Sequence, residues 1–191
     1  MKSASILFIA AAAGVGALSV PRDAHALGPV DLEIGARIGG ASSPVSGGLN
    51  PLGFGMGARA GVSLFSFYGG LSFMYYFGGG QDVSTGGAAP PFHYSVTSTL
   101  FGFDLGYNIG IPLITLRPQL GIGNYSGNGT GSGPGFSIPG SANNLYLEPG
   151  VTGILSLGMW FVGADANFLF LPGLDNSQAA FTAHGQGGIK F

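Results

Sequence analysis

Apolar and polar residues alternate one by one along most of the chain beyond residue 29. In segment 30–39, Leu32, Ile34 and Ile38 occupy alternate positions, and Glu33 and Arg37 lie between them. Because successive residues of a β-strand point to opposite faces, such a strand has one apolar face and one polar face. The pattern therefore predicts a strand that lies between an apolar environment and a polar one.

Seven further segments carry this period-two pattern, so we predict eight strands in total. The eight segments cover residues 30–39, 54–64, 67–77, 92–109, 114–123, 145–155, 160–170 and 181–191. Segment 67–77 is apolar on both faces and has the weakest pattern. The connections between segments alternate between long (41–52, 78–91, 126–142, with 172–178 intermediate) and short (Ser66, 111–113, 158–159). An even number of strands with short turns at one end and longer loops at the other is typical of transmembrane β-barrels in bacterial outer membranes.

Two prolines depart from the strand pattern. Pro118 and Pro149 lie inside predicted strands, where each would remove a ladder hydrogen bond. We interpret them as local bulges near the rims of a closed barrel.

Aromatic residues are concentrated at the ends of the predicted strands. Those expected near the outer interface are Tyr75, Phe77, Phe92, Tyr94, Tyr125, Phe170 and Phe181. Those expected near the periplasmic interface are Phe65, Phe67, Tyr107, Trp160 and Phe191. Two aromatic girdles anchor a membrane barrel at its two interfaces. The alternative, a soluble β-sandwich with core aromatics, leaves the outward face without its usual polar residues.

The composition supports strands in lipid. Hydrophobic residues make up 46% of the 191 residues, and charged residues only 7%, against about 25% in typical soluble domains. Beyond the N-terminus, no apolar run is long enough to form a transmembrane helix. The chain contains no cysteine, which is compatible with export and excludes a lipoprotein anchor.

Residues 1–26 have the pattern of a secretory signal peptide. Lys2 is the charged start, residues 6–20 form an apolar run, and Ala24-His25-Ala26 matches a cleavage site. The barrel domain is therefore expected to cover residues 27–191. The alternative is an uncleaved membrane anchor.

Few charged residues remain after residue 26, and most of them lie on the polar face. Of eleven, nine fall inside predicted strands with their side chains directed inward. These are Asp31, Glu33, Arg37, Arg59, Asp104, Arg117, Glu148, Asp165 and Lys190. Because unpaired buried charge is costly, we expect them to form an internal network of ion pairs, with His184 as a further member. No basic patch is available to bind nucleic acid.

The last strand carries the clearest local resemblance. The sequence ends in His184-Gly185-Gln186-Gly187-Gly188-Ile189-Lys190-Phe191. An alternating strand with a terminal aromatic residue resembles the end of the small eight-stranded outer-membrane barrels of the OmpA, OmpX and OmpW type. Gln186 stands where that family usually has glycine. The resemblance implies an all-β, eight-stranded antiparallel up-and-down barrel.

The resemblance also implies a location and partners. The expected location is the outer membrane of a Gram-negative bacterium, among lipid and lipopolysaccharide at the cell surface. Ile189 and Phe191 would form the signal that the barrel assembly machinery reads during insertion. The sequence leaves the oligomeric state open.

The interior admits two interpretations. An eight-stranded barrel is just wide enough to be filled by its own side chains. Many inward positions carry glycine, however, and Tyr68, Met74 and Tyr76 also point inward. We predict a non-enzymatic protein with a largely filled lumen, structural or interacting through its extracellular loops. The alternative is a narrow porin-like channel for small or hydrophobic solutes, as in OmpW-type barrels.

The sequence gives only weak signs of a catalytic, metal-binding or phosphate-binding site. His93 and Ser95 lie near the outer rim, and Asp82 is the nearest acid in the sequence, but acyl transfer needs nucleophile, base and orienting group together. No His, Cys, Asp or Glu spacing suggests a metal site, and no cofactor is expected. The glycine-rich run 127–135 lacks the lysine of a phosphate-binding loop.

Overall fold

The computed structural model describes residues 30–44, 50–83, 92–133, 136–172 and 178–191, so the predicted signal segment 1–26 lies outside the described residues. The described chain contains ten strand segments. They are β1 Val30–Ala41, β2 Gly53–Leu64, β3 Phe67–Tyr76, β4 Gly80–Val83, β5 Phe92–Tyr107, β6 Ile109–Ile111, β7 Ile114–Gly133, β8 Phe136–Leu157, β9 Trp160–Leu171 and β10 Gln178–Lys190. Within those ranges, no helix has the length and apolarity needed to cross a bilayer.

The ten segments form a closed antiparallel barrel of eight strands. Pairing runs from β1 through β2, β3, β5, β7, β8 and β9 to β10, and β10 pairs back with β1, where Ile34 faces Ile189. Segments β3 and β4 are successive parts of the third barrel strand, and β5 and β6 of the fourth. The predicted fold class is therefore confirmed.

A bulge separates β3 from β4. Tyr76 pairs with Ser98, whereas Gly80 pairs with Ser95, so the register shifts by one residue between them. Gly78 lies inside this bulge with φ of +62°, in the left-handed region that favours glycine.

The prediction that the two prolines form bulges near the rims was wrong. Leu120 pairs with Pro149 and Pro118 with Val151 in one unbroken register between β7 and β8. Each proline lies instead at a short interruption in the hydrogen-bond ladder to its other neighbouring strand. The register of that ladder is the same on both sides of the interruption. Pro118 lies between the pairs that Gln119 makes with Gly106 and Leu116 makes with Ile109. Pro149 lies in mid-strand, between the β8–β9 pairs at Leu147 and Gly150. The missing N–H groups are accommodated by two open ladder positions.

Burial alternates along the strands as the sequence pattern predicts. Outward apolar side chains are exposed, Ile34 to 54% and Trp160 to 60%, whereas inward Arg117 is completely buried. This is the reverse of a soluble protein, and it matches a barrel with lipid outside and polar groups within.

The predicted loop 126–142 is mostly strand. Segments β7 and β8 continue pairing as far as Gly133 and Phe136. Segment β5 accompanies β7 as far as His93 opposite Ser132, whereas β8 pairs with β9 only from Leu147 onward. We call the part of β5, β7 and β8 that extends beyond the level of Leu147, where β8 no longer pairs with β9, the outer sheet. Frequent Gly, Ser and Asn residues hid the strand because these types are depleted in strands generally.

Tyr125, which was assigned to the outer girdle, faces the other way. Tyr125 is only 4% exposed, and its hydroxyl lies 3.0 Å from Ser98 Oγ inside the barrel. Phe67 and Tyr107 do lie outside near the periplasmic end and pack edge to face, with their ring centroids 5.4 Å apart.

Candidate functional site: the barrel interior

The end of the lumen nearest the short turns, which we expect to face the periplasm, contains a plate of charged and aromatic groups. Arg117 donates two hydrogen bonds to the Glu33 carboxylate, of 2.9 and 2.7 Å. Its guanidinium also lies 3.7 Å from the centre of the Tyr68 ring. All three side chains are almost completely buried, and a paired, bidentate geometry is the arrangement that offsets their desolvation. We call Glu33, Tyr68 and Arg117 the periplasmic plate.

A partly exposed ion pair lies at the periplasmic rim. Lys190 Nζ is 3.0 Å from Asp31 Oδ2 and 3.9 Å from Glu33 Oε1. Both Lys190 and Asp31 remain partly exposed, so this pair contributes less than the buried ones.

The middle of the lumen holds a hydrogen-bonded chain centred on His184. Arg37 donates to Asp165 Oδ1 at 3.0 Å, and the same oxygen lies 2.7 Å from His184 Nδ1. The other ring nitrogen of His184 lies 2.7 Å from the Tyr76 hydroxyl. Cross-strand pairing of His184 with Asp165 places these two side chains together.

The remaining predicted acids are bonded to neutral groups. Glu148 accepts hydrogen bonds from Thr182 at 2.9 Å and Asn167 at 3.4 Å. Asp104 accepts one from Ser72 at 3.1 Å. The acids are thus shared among arginine, lysine, histidine and neutral hydroxyl or amide groups.

Arg59 also differs from the expected ion-pair pattern. It donates to Gln186 Oε1 at 2.9 Å and to the Tyr68 hydroxyl at 3.3 Å. Both of these acceptors are neutral groups. Gln186 stands where the small outer-membrane barrels usually have glycine, and here its side chain accepts a hydrogen bond from Arg59.

An apolar layer lies across the outer end of the lumen. It is formed by Leu52, Met74, Tyr76, Leu100, Tyr125, Tyr146, Leu169, Leu171 and Ala180. We call it the outer plug. Leu52 belongs to the connection between β1 and β2 and is completely buried. Its backbone N–H donates to Asn50 Oδ1 at 3.0 Å, and Ser98 Oγ donates to the Pro51 carbonyl at 2.8 Å, so residues 50–52 of the connection are folded into the mouth.

The inward glycines accommodate neighbouring side chains. A Cβ added at Gly102 would collide with the Tyr146 hydroxyl, and one at Gly61 with Tyr68. Gly35 is covered in the same way by the Phe161 ring. Large side chains from the adjacent strand or from the strand beyond it occupy the space above these glycines, so the glycines do not indicate an empty passage.

Groups that could support catalysis or metal binding were sought among the lumen and rim residues. No three His, Cys, Asp or Glu side chains of the described residues are grouped to hold a metal ion. The Asp165–His184–Tyr76 chain resembles an acid–base relay, but it is buried within the lumen, where His184 is only 3% exposed. At the rim, backbone pairing places His93 opposite Asp82 and Ser95 opposite Gly80.

Several lumen residues lie outside the predicted charge network. Asn167, Thr182 and Gln186 lie at the inward positions that their parity along the strand predicts, and the parity of Ser72 is the signal that could have identified it as well. Leu52 lies in a connection without periodicity, so no sequence signal marks it as part of the plug.

Likeness to known proteins is confined to solved structures. No protein-family model and no curated protein matches the chain. Among solved structures, a major outer membrane protein from Thermus thermophilus matches with a TM-score of 0.61 and 12% identity, over 85% of this chain and 99% of that one. Neisserial surface protein A matches with a TM-score of 0.56 and 12% identity, over 85% and 97%.

A third match is Ail, the attachment invasion locus protein of Yersinia pestis, in complex with the heparin analogue sucrose octasulfate. Its TM-score is 0.54 and its identity 14%, over 85% of this chain and 97% of that one. At such identities the likeness concerns the fold alone. The closed eight-stranded barrel, its exposed apolar exterior and these neighbours together give this chain the fold of the small OmpA- and OmpX-like outer-membrane β-barrels.

Proposed function

We propose that this protein is a non-enzymatic barrel of the bacterial outer membrane that interacts with partners through its outer sheet. The observation that carries the proposal is the continuation of β5, β7 and β8 beyond the body of the barrel, above a lumen closed by the outer plug. A hydrogen-bonded sheet presents a better-ordered surface than a free loop does. The likeness to outer-membrane barrels supports the location.

The surface chemistry restricts the class of partner. Segment 126–147 contains no charged residue, and its exposed positions include Asn128, Thr130, Ser141 and Asn143. All Lys and Arg residues beyond residue 26 lie at inward positions of the barrel. A sulfated saccharide of the kind present in the Ail structure would find no cationic side chain on the described outer surface. We therefore propose an uncharged partner, bound through hydrogen bonds and apolar contacts.

Shortening the outer sheet tests this function. Ser126 pairs with Asn143, so deleting residues 127–133 and 136–142 removes equal lengths from both strands and keeps the register. We expect cells carrying the shortened protein to lose surface adhesion or partner binding while the barrel stays folded and heat-modifiable. Met159→Ser in a periplasmic turn is the control, with no expected effect. Undiminished binding by the shortened protein would exclude the outer sheet as the contact surface.

A narrow channel is the second candidate. The observation in its favour is the polar lumen below the outer plug, with Arg59 and Glu148 directed into it. Single-channel recording in planar bilayers distinguishes the two functions. We expect a silent barrel; discrete conductance steps that change in Arg59→Ala and Glu148→Ala would favour the channel.

We also propose that the C-terminal residues act as the insertion signal for the barrel assembly machinery. Phe191 exchanges backbone hydrogen bonds with Leu32, and Ile189 pairs with both Ile34 and Trp160, so this strand closes the barrel. Phe191→Ser is expected to slow assembly in cells while refolding in detergent proceeds. Equal impairment in both settings would assign these residues a structural role only.

A further inference from the structure

Three short turns at the end of the barrel expected to face the periplasm are made almost entirely of apolar residues. We call segments 64–67, 111–114 and 157–160 the apolar turns. The strand pairs that close them, each with two residues at the tip, are Leu64–Phe67, Ile111–Ile114 and Leu157–Trp160. The apolar turns contain no charged residue, and Ser66 is their only small polar one. Turns in water usually carry Gly, Asn, Asp or Ser, so this composition requires an explanation.

The side chains at the tips of the apolar turns are open to the surroundings. Phe65 is 74% exposed, Leu113 72% and Met159 51%. Large apolar side chains are unfavourable in water, and a group of them on a protein surface marks a contact with a membrane or with another protein.

The backbone at two of the tips is poorly suited to the residues there. Phe65 has φ of +56° and Leu113 has φ of +72°, in the left-handed region that L side chains rarely adopt. The third turn uses Gly158 at φ of +69°, which carries no such cost. Backbone strain is concentrated at functional sites, which points to a contact made by the Phe65 and Leu113 side chains themselves.

Strand lengths place the apolar turns at the boundary of the membrane. Strands β2 and β9 have 12 residues each, and a transmembrane β-strand needs about 9–11. Almost no residue of either strand is therefore left to extend into the periplasm. Phe65 follows directly after β2 and Met159 directly precedes β9, so both tips lie where the lipid-facing exterior ends.

The apolar exterior of the barrel continues into these turns without a change in chemistry. Phe67 and Trp160 belong to both surfaces and are exposed. Exposed positions of the outer sheet, in contrast, carry polar side chains such as Thr130 and Ser141. Given the proposed location in the outer membrane, we propose that the apolar turns are embedded in the periplasmic leaflet, at the boundary between phospholipid headgroups and acyl chains. This contact offsets the strain at the tips and anchors that end of the barrel in lipid.

Depth measurements with single tryptophans test the embedding. Trp160 is the only tryptophan of the chain, so Trp160→Phe removes the background fluorescence. Leu113→Trp and Met159→Trp are each added to this variant, and Ser141→Trp on the outer sheet is the control. The barrels are folded into phosphatidylcholine vesicles that contain lipids brominated near the headgroup, or that have iodide on both sides. We expect the brominated lipids to quench both turn variants, and iodide to quench them several-fold less than the control.

Failure of the embedding would differ from failure of the proposed function. Equal iodide quenching at positions 113, 159 and 141 in folded, heat-modifiable barrels would overturn the embedding, while the membrane location and the outer sheet as contact surface would stand. If Leu113→Trp does not fold, Met159→Trp decides, because glycine already occupies the left-handed position of its turn.

Leu113→Asn gives a second measurement, in which water and lipid predict opposite signs. Asparagine tolerates the left-handed conformation better than leucine does, so in water the substitution would relieve strain and keep or raise the urea midpoint. In lipid the substitution removes an apolar contact. We expect a lower urea midpoint in lipid vesicles than that of the unmodified barrel, and an equal or higher midpoint would overturn the anchoring role.

Discussion

At the scale of single residues, the lumen is stabilised by pairing. Arg117 and Glu33 illustrate this, because Arg117 without Glu33 would be a buried charge without its hydrogen-bonded counterion. Asp165 is shared by Arg37 and His184 through one oxygen, so substitution there affects two partners together.

Glu33→Gln should strongly destabilise the barrel. The substitution leaves the guanidinium of Arg117 buried without a charged partner, which we expect to cost about 3–5 kcal/mol of unfolding free energy. The double variant Glu33→Met, Arg117→Met removes both charges and should recover most of that loss. Urea titration of the refolded barrels in lipid vesicles measures both. Equal losses in the single and double variants would contradict this account.

Gly102→Ala tests the interlocking of glycines and large side chains. The added methyl group meets the Tyr146 hydroxyl, and overpacking of this kind costs about 1–3 kcal/mol. Gly110→Ala is the matched control, because a Cβ there has no neighbour within 4 Å, and we expect a change within about 0.5 kcal/mol. Denaturant midpoints of the two variants provide the comparison, and similar midpoints would mean that the lumen is not tightly packed at Gly102.

At the scale of elements, backbone conformation determines how the third barrel strand continues. The bulge between β3 and β4 depends on the left-handed conformation of Gly78, where a Cβ would also meet the Val96 carbonyl. Two periplasmic turns use left-handed residues without glycine, Phe65 with φ of +56° and Leu113 with φ of +72°. The tight turns therefore tolerate some strain, whereas the bulge has no space for a side chain.

Gly78→Ala should disrupt the upper part of the third strand. Left-handed alanine costs about 1–2 kcal/mol, and the collision with Val96 adds to this. We expect faster amide hydrogen exchange at residues 80–83 and 92–95, while the β1–β10 pairing stays protected. Uniform loss of protection around the whole barrel would instead indicate that the bulge supports the entire fold.

At the scale of the whole molecule, the barrel separates a polar interior from an apolar exterior. Leu71 and Phe103 are direct cross-strand partners on the exposed exterior, and Phe65 lies at the periplasmic turn. The cost of a charged substitution on the exterior should therefore depend on how deep the substituted residue lies in the membrane.

Leu71→Arg and Phe65→Arg test this orientation. Arginine on the lipid face costs about 2–4 kcal/mol at the bilayer midplane and about 0–1 kcal/mol near the interface. We expect Leu71→Arg to lower the unfolding free energy in lipid vesicles much more than Phe65→Arg does. The opposite order would show that the membrane lies elsewhere along the barrel.

The sequence by itself determined the number of barrel strands, the face of most residues within the predicted strands and the inward position of the charges in those strands. It could do so because strand side chains alternate strictly, so local order alone decides their direction. The signal peptide and its cleavage site stay predictions of the same local kind.

Only the tertiary structure decided which inward groups meet. Glu33 binds Arg117 across 84 positions of sequence, and Arg59 binds Gln186 rather than an acid. Leu52 fills the outer mouth from a connection that has no periodicity, and Pro149 fits because the neighbouring ladder is open. These outcomes depend on strand register and closure of the barrel, which bring together residues from strands far apart in the chain. Periodicity assigns a residue to the lumen, but closure of the barrel selects its partner there.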